Sequence, residues 1–458
     1  MKLRLFTLAA GLLFSTGQAR AQSTPAPEGS TPLPWVANRS IGRGVGVRVG
    51  DFELHPGVSG EFGYDSNWYQ RASSAVEAAN AGRPEDALRF RVTPSLSLST
   101  LDTRVQEGPG PKPLPRAVQF HLDASASYNE LIGLDSASTV AQDRNISGSL
   151  GLKLELFRGR HWSGDLGAGY AYIYEPANVA GFIGANDRHV ITGGGSIRWM
   201  PGGGSFTWDL VGYNTRLTLF PSTNFGAYDN GDHTITTAGQ WRFLPKTALL
   251  YDASVGFIRY EDPRLNSGID TTARVGVNGL LLTRLGVLLM GGWATGFRDN
   301  DNGRPRPYDD FVAKAELKYY LNAGSRLQAG SANVGVSSVA IGYDRSFENS
   351  YLGDFFQRDR GYGNFTMFLA GRWIFQLDGG ASAIHYPEMN FDEAVIDSFG
   401  EIRVDGQAFV EYRPIRTLGI NITARYDHNF SRVLEGANYS DDLSFSRFRG
   451  FLGVRWFL

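Results

Sequence analysis

Acid–base chemistry needs a group that takes a proton and a neighbour that orients it, and this sequence offers one place to look. His121 and Asp123 stand two apart in VQFHLDASASYN, whereas His55, His161, His189, His233, His385 and His428 are scattered. On a strand that spacing puts both side chains on one face about 7 Å apart, too far for a direct hydrogen bond. His121 is therefore read as a polar wall residue. No G-x-S-x-G, H-E-x-x-H or phosphate-loop motif occurs, and with no cysteine there is no thiol nucleophile or thiolate metal site. Gly42-Arg43-Gly44-Val45-Gly46 has no strand before it, so it is not a phosphate loop. No catalytic residue, metal ligand or cofactor is expected, and the chain is not read as an enzyme.

The charged residues carry a different signal. Lys153 and Glu155, then Lys314, Glu316 and Lys318, then Glu401, Arg403, Asp405 and Glu411, then Arg425 and Asp427, then Arg447, Arg449 and Arg455 occupy alternate positions, with mainly apolar residues between them. Neighbouring residues of a strand point to opposite faces, so each such segment has one polar and one apolar side. Val118, Phe120, Leu122, Ala124, Ala126 and Tyr128 oppose Gln119, His121, Asp123, Ser125, Ser127 and Asn129 in the same way. A dry sandwich core does not tolerate a charged face in segment after segment. An outer-membrane barrel requires it, with lipid on one side of the wall and a polar interior on the other. The charged residues then line a pore. Most are expected as struts paired across neighbouring strands; the rest set a field or grip a polar solute.

Eighteen such segments run from 52–64 to 443–458, the thirteenth at 334–345, and single-chain bacterial barrels have even counts. Links after odd segments are mostly long and polar, and links after even ones mostly tight, such as Arg158-Gly159-Arg160 and Pro201-Gly202-Gly203. Asp102 to Pro115 and Asn322 to Asn333 break that rule. Long loops outside place both chain ends in the periplasm. Tyr followed by an acid or amide recurs at the outer ends, as in Tyr64-Asp65, Tyr128-Asn129 and Tyr343-Asp344. Trp162, Trp199, Trp241, Tyr319, Trp373, Tyr412 and Trp456 mark the inner ends. The fold class is thus all-β, a transmembrane antiparallel meander of eighteen strands.

Composition agrees. The 458 residues include 57 Gly, 29 Phe, 20 Tyr and 9 Trp, and the net charge of -2 supplies no basic field for nucleic acid. MKLR, the apolar LFTLAAGLLF and Ala19-Arg20-Ala21 read as a secretory signal over 1–21. Residues 22–51 read as a flexible periplasmic segment, and 52–458 as the barrel.

Eighteen tilted strands enclose a backbone diameter of about 36 Å, too wide for side chains to fill. Closure of the first strand on the last is expected to set Arg455 beside Glu53 and Arg447 beside Glu61. The alternating apolar end FLGVRWFL resembles the C-terminal signal read by the barrel assembly machinery. The loop DSNWYQRASSAVEAANAGRPED is the best candidate constriction or receptor loop. Its Trp68 and Tyr69 are offered either as sugar-stacking rings or, by preference, as members of the outer aromatic ring.

GVSGEFGYDSNWYQ, FRVTPSLSLST, GFIRYEDPRLN and RYDHNF together resemble the outer-membrane β-barrel porins associated with exopolysaccharide export, including myxobacterial barrels of eighteen strands. The resemblance implies a water-filled conduit in the outer membrane of a Gram-negative bacterium, passing an extended polysaccharide and working with a periplasmic polysaccharide export protein. Two other readings stand beside it: a passive diffusion porin for small polar solutes, and a loop-plugged barrel with a structural or surface-binding role.

Overall fold

The computed structural model describes residues 46–458 apart from stretches in the connections, the longest being 75–82, 101–115, 176–185, 299–306 and 322–336. The signal segment, residues 22–45 and the two long links on the short-turn side lie outside the described residues.

Alternating sequences become eighteen antiparallel strands: β1 Phe52–Asp65, β2 Ala87–Thr100, β3 Val118–Gly133, β4 Asn145–Leu156, β5 Trp162–Glu175, β6 Asn186–Trp199, β7 Phe206–Leu219, β8 Asn230–Leu244 and β9 Thr247–Tyr260 in the first half. The second half holds β10 Gly268–Leu280, β11 Leu285–Arg298, β12 Tyr308–Tyr320, β13 Ser338–Asn349, β14 Phe355–Leu369, β15 Trp373–Tyr386, β16 Phe399–Ile415, β17 Leu418–Phe430 and β18 Phe445–Phe457. Each pairs with its chain neighbours, and β1 pairs with β18, so the sheet closes and leaves no open edge. The thirteenth strand lies four residues later than its alternation suggests. Two short hairpins, Met389–Phe391 with Ala394–Ile396 and Val433–Gly436 with Tyr439–Asp442, sit in the long loops, where alternation gives no warning of them.

Following the pairings once round from Ser59 returns to β1 about 22 residues further along, a stagger that corresponds to a strand tilt of about 40° and keeps the diameter near 36 Å. Val58, Phe62, Phe297, Ile341, Ile402 and Leu452 are among the apolar side chains exposed on the outer surface, the arrangement of a wall solvated by lipid. At the short-turn rim Trp162 stacks on Trp199 with centroids 6.0 Å apart and Trp373 meets Tyr412 at 4.6 Å. At the long-loop rim the tyrosines do use carboxylates, but not their chain neighbours. Tyr64 donates to Asp86 at 3.4 Å, Tyr128 to Glu130, Tyr343 to Asp359, and the Trp293 indole to Asp309. The adjacent acid, such as Asp65, necessarily faces the other way.

The closing register corrects the expected one. Arg455 stands opposite Ser59 and Arg449 opposite Asp65, so Glu53 and Glu61 are not the partners of Arg455 and Arg447. β1 begins below the end of β18, and the freed part of its edge is taken by Val47–Val49, which folds back to pair with Phe52–Leu54. The Leu458 amide donates to the Pro56 carbonyl at 3.1 Å, where one cover gives way to the other. Residues 46–51 are thus part of the sheet's margin and not a free lead.

On β11, Gly292 lies opposite Arg274 of β10. A Cβ on Gly292 would run into the Ala273 carbonyl oxygen and the Arg274 Cα, both backbone atoms that cannot step aside. Gly292→Ala is expected to destabilise the barrel by about 1–3 kcal/mol, read as a lower urea midpoint for unfolding of the reconstituted protein.

Candidate functional site

The wall facing the lumen is where this fold can do chemistry, and its charges are arranged in groups of mixed sign. Lys153 Nζ meets Glu155 Oε1 at 2.5 Å, Lys314 meets Asp344 at 3.0 Å, and Tyr362 donates to Glu316 at 2.9 Å. Arg403 pairs with Glu401 at 3.2 Å and Arg360 with Asp405 at 2.7 Å. Arg425 and Arg449 share Asp427, while Arg413 and Arg455 share Glu411. Lys318 stands on the same face, opposite Gly286 and Ala340. His121 lies opposite Ser99 and Lys153.

The densest part is the closing sector of β16, β17, β18, β1 and β2. The inward face of β18 reads Phe445, Arg447, Arg449, Phe451, Gly453, Arg455, Phe457. Arg89 and Arg91 lie over the Phe451 ring at 5.6 and 5.7 Å, and Arg413 and Arg455 over Phe457 at 5.2 and 4.7 Å. A guanidinium flat on a ring keeps its in-plane N–H groups free for carboxylates, so one arginine can satisfy both. Gly453 makes room for this layer: a Cβ there would meet the Asn421 amide and the Glu61 Cγ. Glu61 itself takes Arg91, with Arg91 Nε donating at 2.6 Å. Alternation turns Phe451 and Phe457 inward with the arginines of the same parity, but it gives no sign of the guanidiniums stacked over their rings.

The first loop folds over the top of this sector. Trp68 is 1% exposed, with Arg89 and Arg447 over its ring at 5.4 and 5.6 Å and its indole N–H donating to Asp143 at 3.0 Å. Tyr69 is likewise buried, bonded to Thr139 at 3.2 Å and covered by Arg71 at 4.1 Å; burial, first of all, pushes its hydroxyl up to about 12. Trp68 and Tyr69 therefore stand neither in the outer aromatic ring nor free for a sugar. They are consumed in tying loop one to loop two, because an amphipathic ring next to buried guanidiniums has more to gain there than at the lipid boundary.

Glu85 is the hub of that tie. It accepts from the Ser138 hydroxyl at 2.8 Å, the Thr139 amide at 2.9 Å and Arg71 at 3.1 Å. Burial opposes its ionisation, but these donors outweigh burial and hold the carboxyl below the ordinary value of 4.5. A lowered value means the stabilisation is present above that pH and disappears as pH falls through the depressed one. Acidification below pH 4.5 is thus expected to free the loop progressively, seen as faster protease cleavage between residues 70 and 86, and Glu85→Gln is expected to abolish that pH step.

A second element enters the lumen from the opposite side. The β12–β13 ladder ends at Ala313 and Arg345, yet β13 runs on to Asn349 and stays paired with β14. Above Arg345 the β13–β14 hairpin leaves the wall and passes inside it. Phe347 stacks on Tyr308 at 4.5 Å with planes 4° apart, and Phe355 meets the same ring at 4.8 Å. Tyr308 lies across Gly296 on the lumen side of β11 and donates to Asp270 at 2.9 Å. Asn349 reaches past β12 altogether and accepts from Arg298 at 2.6 Å. This inward hairpin, and not loop one alone, narrows the mouth.

No family model matches the chain, and no curated relative matches it. Among solved structures it is similar to Pseudomonas aeruginosa OccK7 (OpdD), at 13% identity and TM-score 0.45, covering 90% of this chain and 99% of that one. P. aeruginosa OpdK, solved with vanillate, gives 10% and 0.44 over 89% and 99%. A BenF-like porin from Pseudomonas fluorescens Pf-5 gives 9% and 0.43 over 90% and 100%. At such values these likenesses assign neither a substrate nor any residue's role.

Proposed function

We propose that this protein is an outer-membrane porin through which small polar solutes diffuse passively, with the long loops outside the cell and both chain ends in the periplasm. The observation that carries the reading is a closed ring of eighteen strands whose outer face is apolar and whose inner face carries charges of both signs in contact with one another. A ring of that diameter keeps water inside. Carboxylates and guanidiniums paired along it give solutes hydrogen-bonding partners without a strong net field, so charge discriminates weakly and size discriminates more. The inward β13–β14 hairpin and the first loop set that size limit.

Export of a polysaccharide has no separate support here, because the two rings offered to a sugar, Trp68 and Tyr69, are occupied by protein. The test is single-channel recording in planar bilayers combined with swelling of loaded liposomes. Steady conductance is expected, with a cation-to-anion permeability ratio within about threefold of unity and a cut-off among small sugars. A silent bilayer would instead mean a barrel plugged by its loops, and free passage of long glucans would restore the polymer reading.

A further inference from the structure

The inward hairpin leaves something behind in the wall. With eight paired positions, the β12–β13 ladder is the shortest of the eighteen among the described residues, the next shortest having nine. Residues 308–312 of β12 and 346–349 of β13 run on beyond it without facing each other. The two strands part at the level of the outer aromatic belt, because Trp293–Asp309 and Tyr343–Asp359 flank the gap. Backbone groups of an unpaired strand margin cannot be left against hydrocarbon, so this cleft has to be wetted from the mouth of the barrel. It is a slot with water and carboxylates at one end and lipid at the other.

Its lining is specific in charge. Arg345 spans the cleft from β13, meeting Asp310 at 2.5 Å and Asp359 at 3.7 Å, while Asp309 turns away to the Trp293 indole on β11. Two carboxylates against one guanidinium leave the slot negative. On the lipid side it opens between Phe311 and Tyr343, both exposed; on the lumen side it is floored by Tyr308, Phe347 and Phe355. Rings and carboxylates together suit an organic cation, and the lipid-facing rows below suit an apolar tail.

We propose that the β12–β13 cleft is a lateral docking slot for amphiphiles with a cationic head and a single apolar tail, the head between Asp310 and Asp359 and the tail along Phe311 in the outer leaflet. The slot stands or falls independently of solute diffusion through the lumen. The experiment titrates the full chain in lipid nanodiscs with dodecyltrimethylammonium below its micellar concentration, with dodecyl sulfate and tetramethylammonium as counter-probes.

Saturable binding of dodecyltrimethylammonium alone is expected, weakened about five- to tenfold in Asp310→Asn/Asp359→Asn. Single-channel conductance of that variant should stay as it was, which also certifies its folding. Equal binding of dodecyl sulfate would mean simple partition into the disc and overturn the proposal. Equal binding of tetramethylammonium would place the cation site in the lumen and overturn it too, as would full affinity in the Asn variant.

Discussion

Removing the Asp65 carboxylate is expected to loosen the closed barrel by about 3–5 kcal/mol, the largest effect of any single substitution in this wall. Asp65 ends β1 and Arg447 lies near the start of β18, and both side chains are 0% exposed. Arg447 Nε donates to Asp65 Oδ1 at 2.8 Å, and its Nη2 donates to the second carboxylate oxygen. Asp65→Ala would take from that guanidinium, buried beneath Trp68, the carboxylate that holds it at two points. Asp65→Ala combined with Arg447→Met removes both charges and is expected to cost far less, about 1–2 kcal/mol, since the methionine still fills space under the indole. The comparison is read from urea unfolding of reconstituted protein, or from the temperature at which the folded band loses its fast gel mobility. A double variant as weak as the single one would show that packing, and not the ion pair, holds this corner.

The same pair shows what alternation can and cannot reveal. A period of two fixes which face a residue occupies, and the strand bounds it gives lie close to those of nearly every strand. It says nothing about how far one strand slides along the next. Arg447 was expected beside Glu61 and instead pairs with Asp65, because the whole closing register is displaced by six residues. Six is even, so the displacement keeps every side chain on its expected face. Register belongs to the stagger summed over all eighteen strands, which no single segment encodes.

The lumen was legible in which residues face it and illegible in what its aromatics touch. Lys153, Glu155, Arg403 and Arg425 stand out because no lipid face accepts them. Phe451 and Phe457 share the parity of Arg449 and Arg455 and face inward by the same period; the guanidiniums lying over their rings are visible only in the structure. Trp68 and Tyr69 mislead because they sit in a loop, where no period assigns a face. The inward run of β13 was hidden in a different way: alternation ends that segment at 345, where its ladder with β12 also ends, and the strand continues inward because Tyr308, lying over Gly296, offers Phe347 a ring to stack on.

That stack makes the second large effect predictable. In Tyr308→Ala/Phe347→Ala the hairpin loses its stacked pair and the hydrogen bond to Asp270, which removes about 3–5 kcal/mol of what draws it inward. β14 keeps its ladder with β15, so the barrel itself persists. The hairpin then swings back toward the wall, single-channel conductance rises by about half, and the sugar cut-off in liposome swelling moves upward. Gly296→Leu tests the same step without deleting a ring, because a Cβ at that position runs into the Tyr308 ring and lifts it from its seat. Both variants should widen the channel. If each folds and conducts as the parent does, the hairpin is an ornament of the rim, and the size limit has to be sought in the arginine layer and the first loop on the far side.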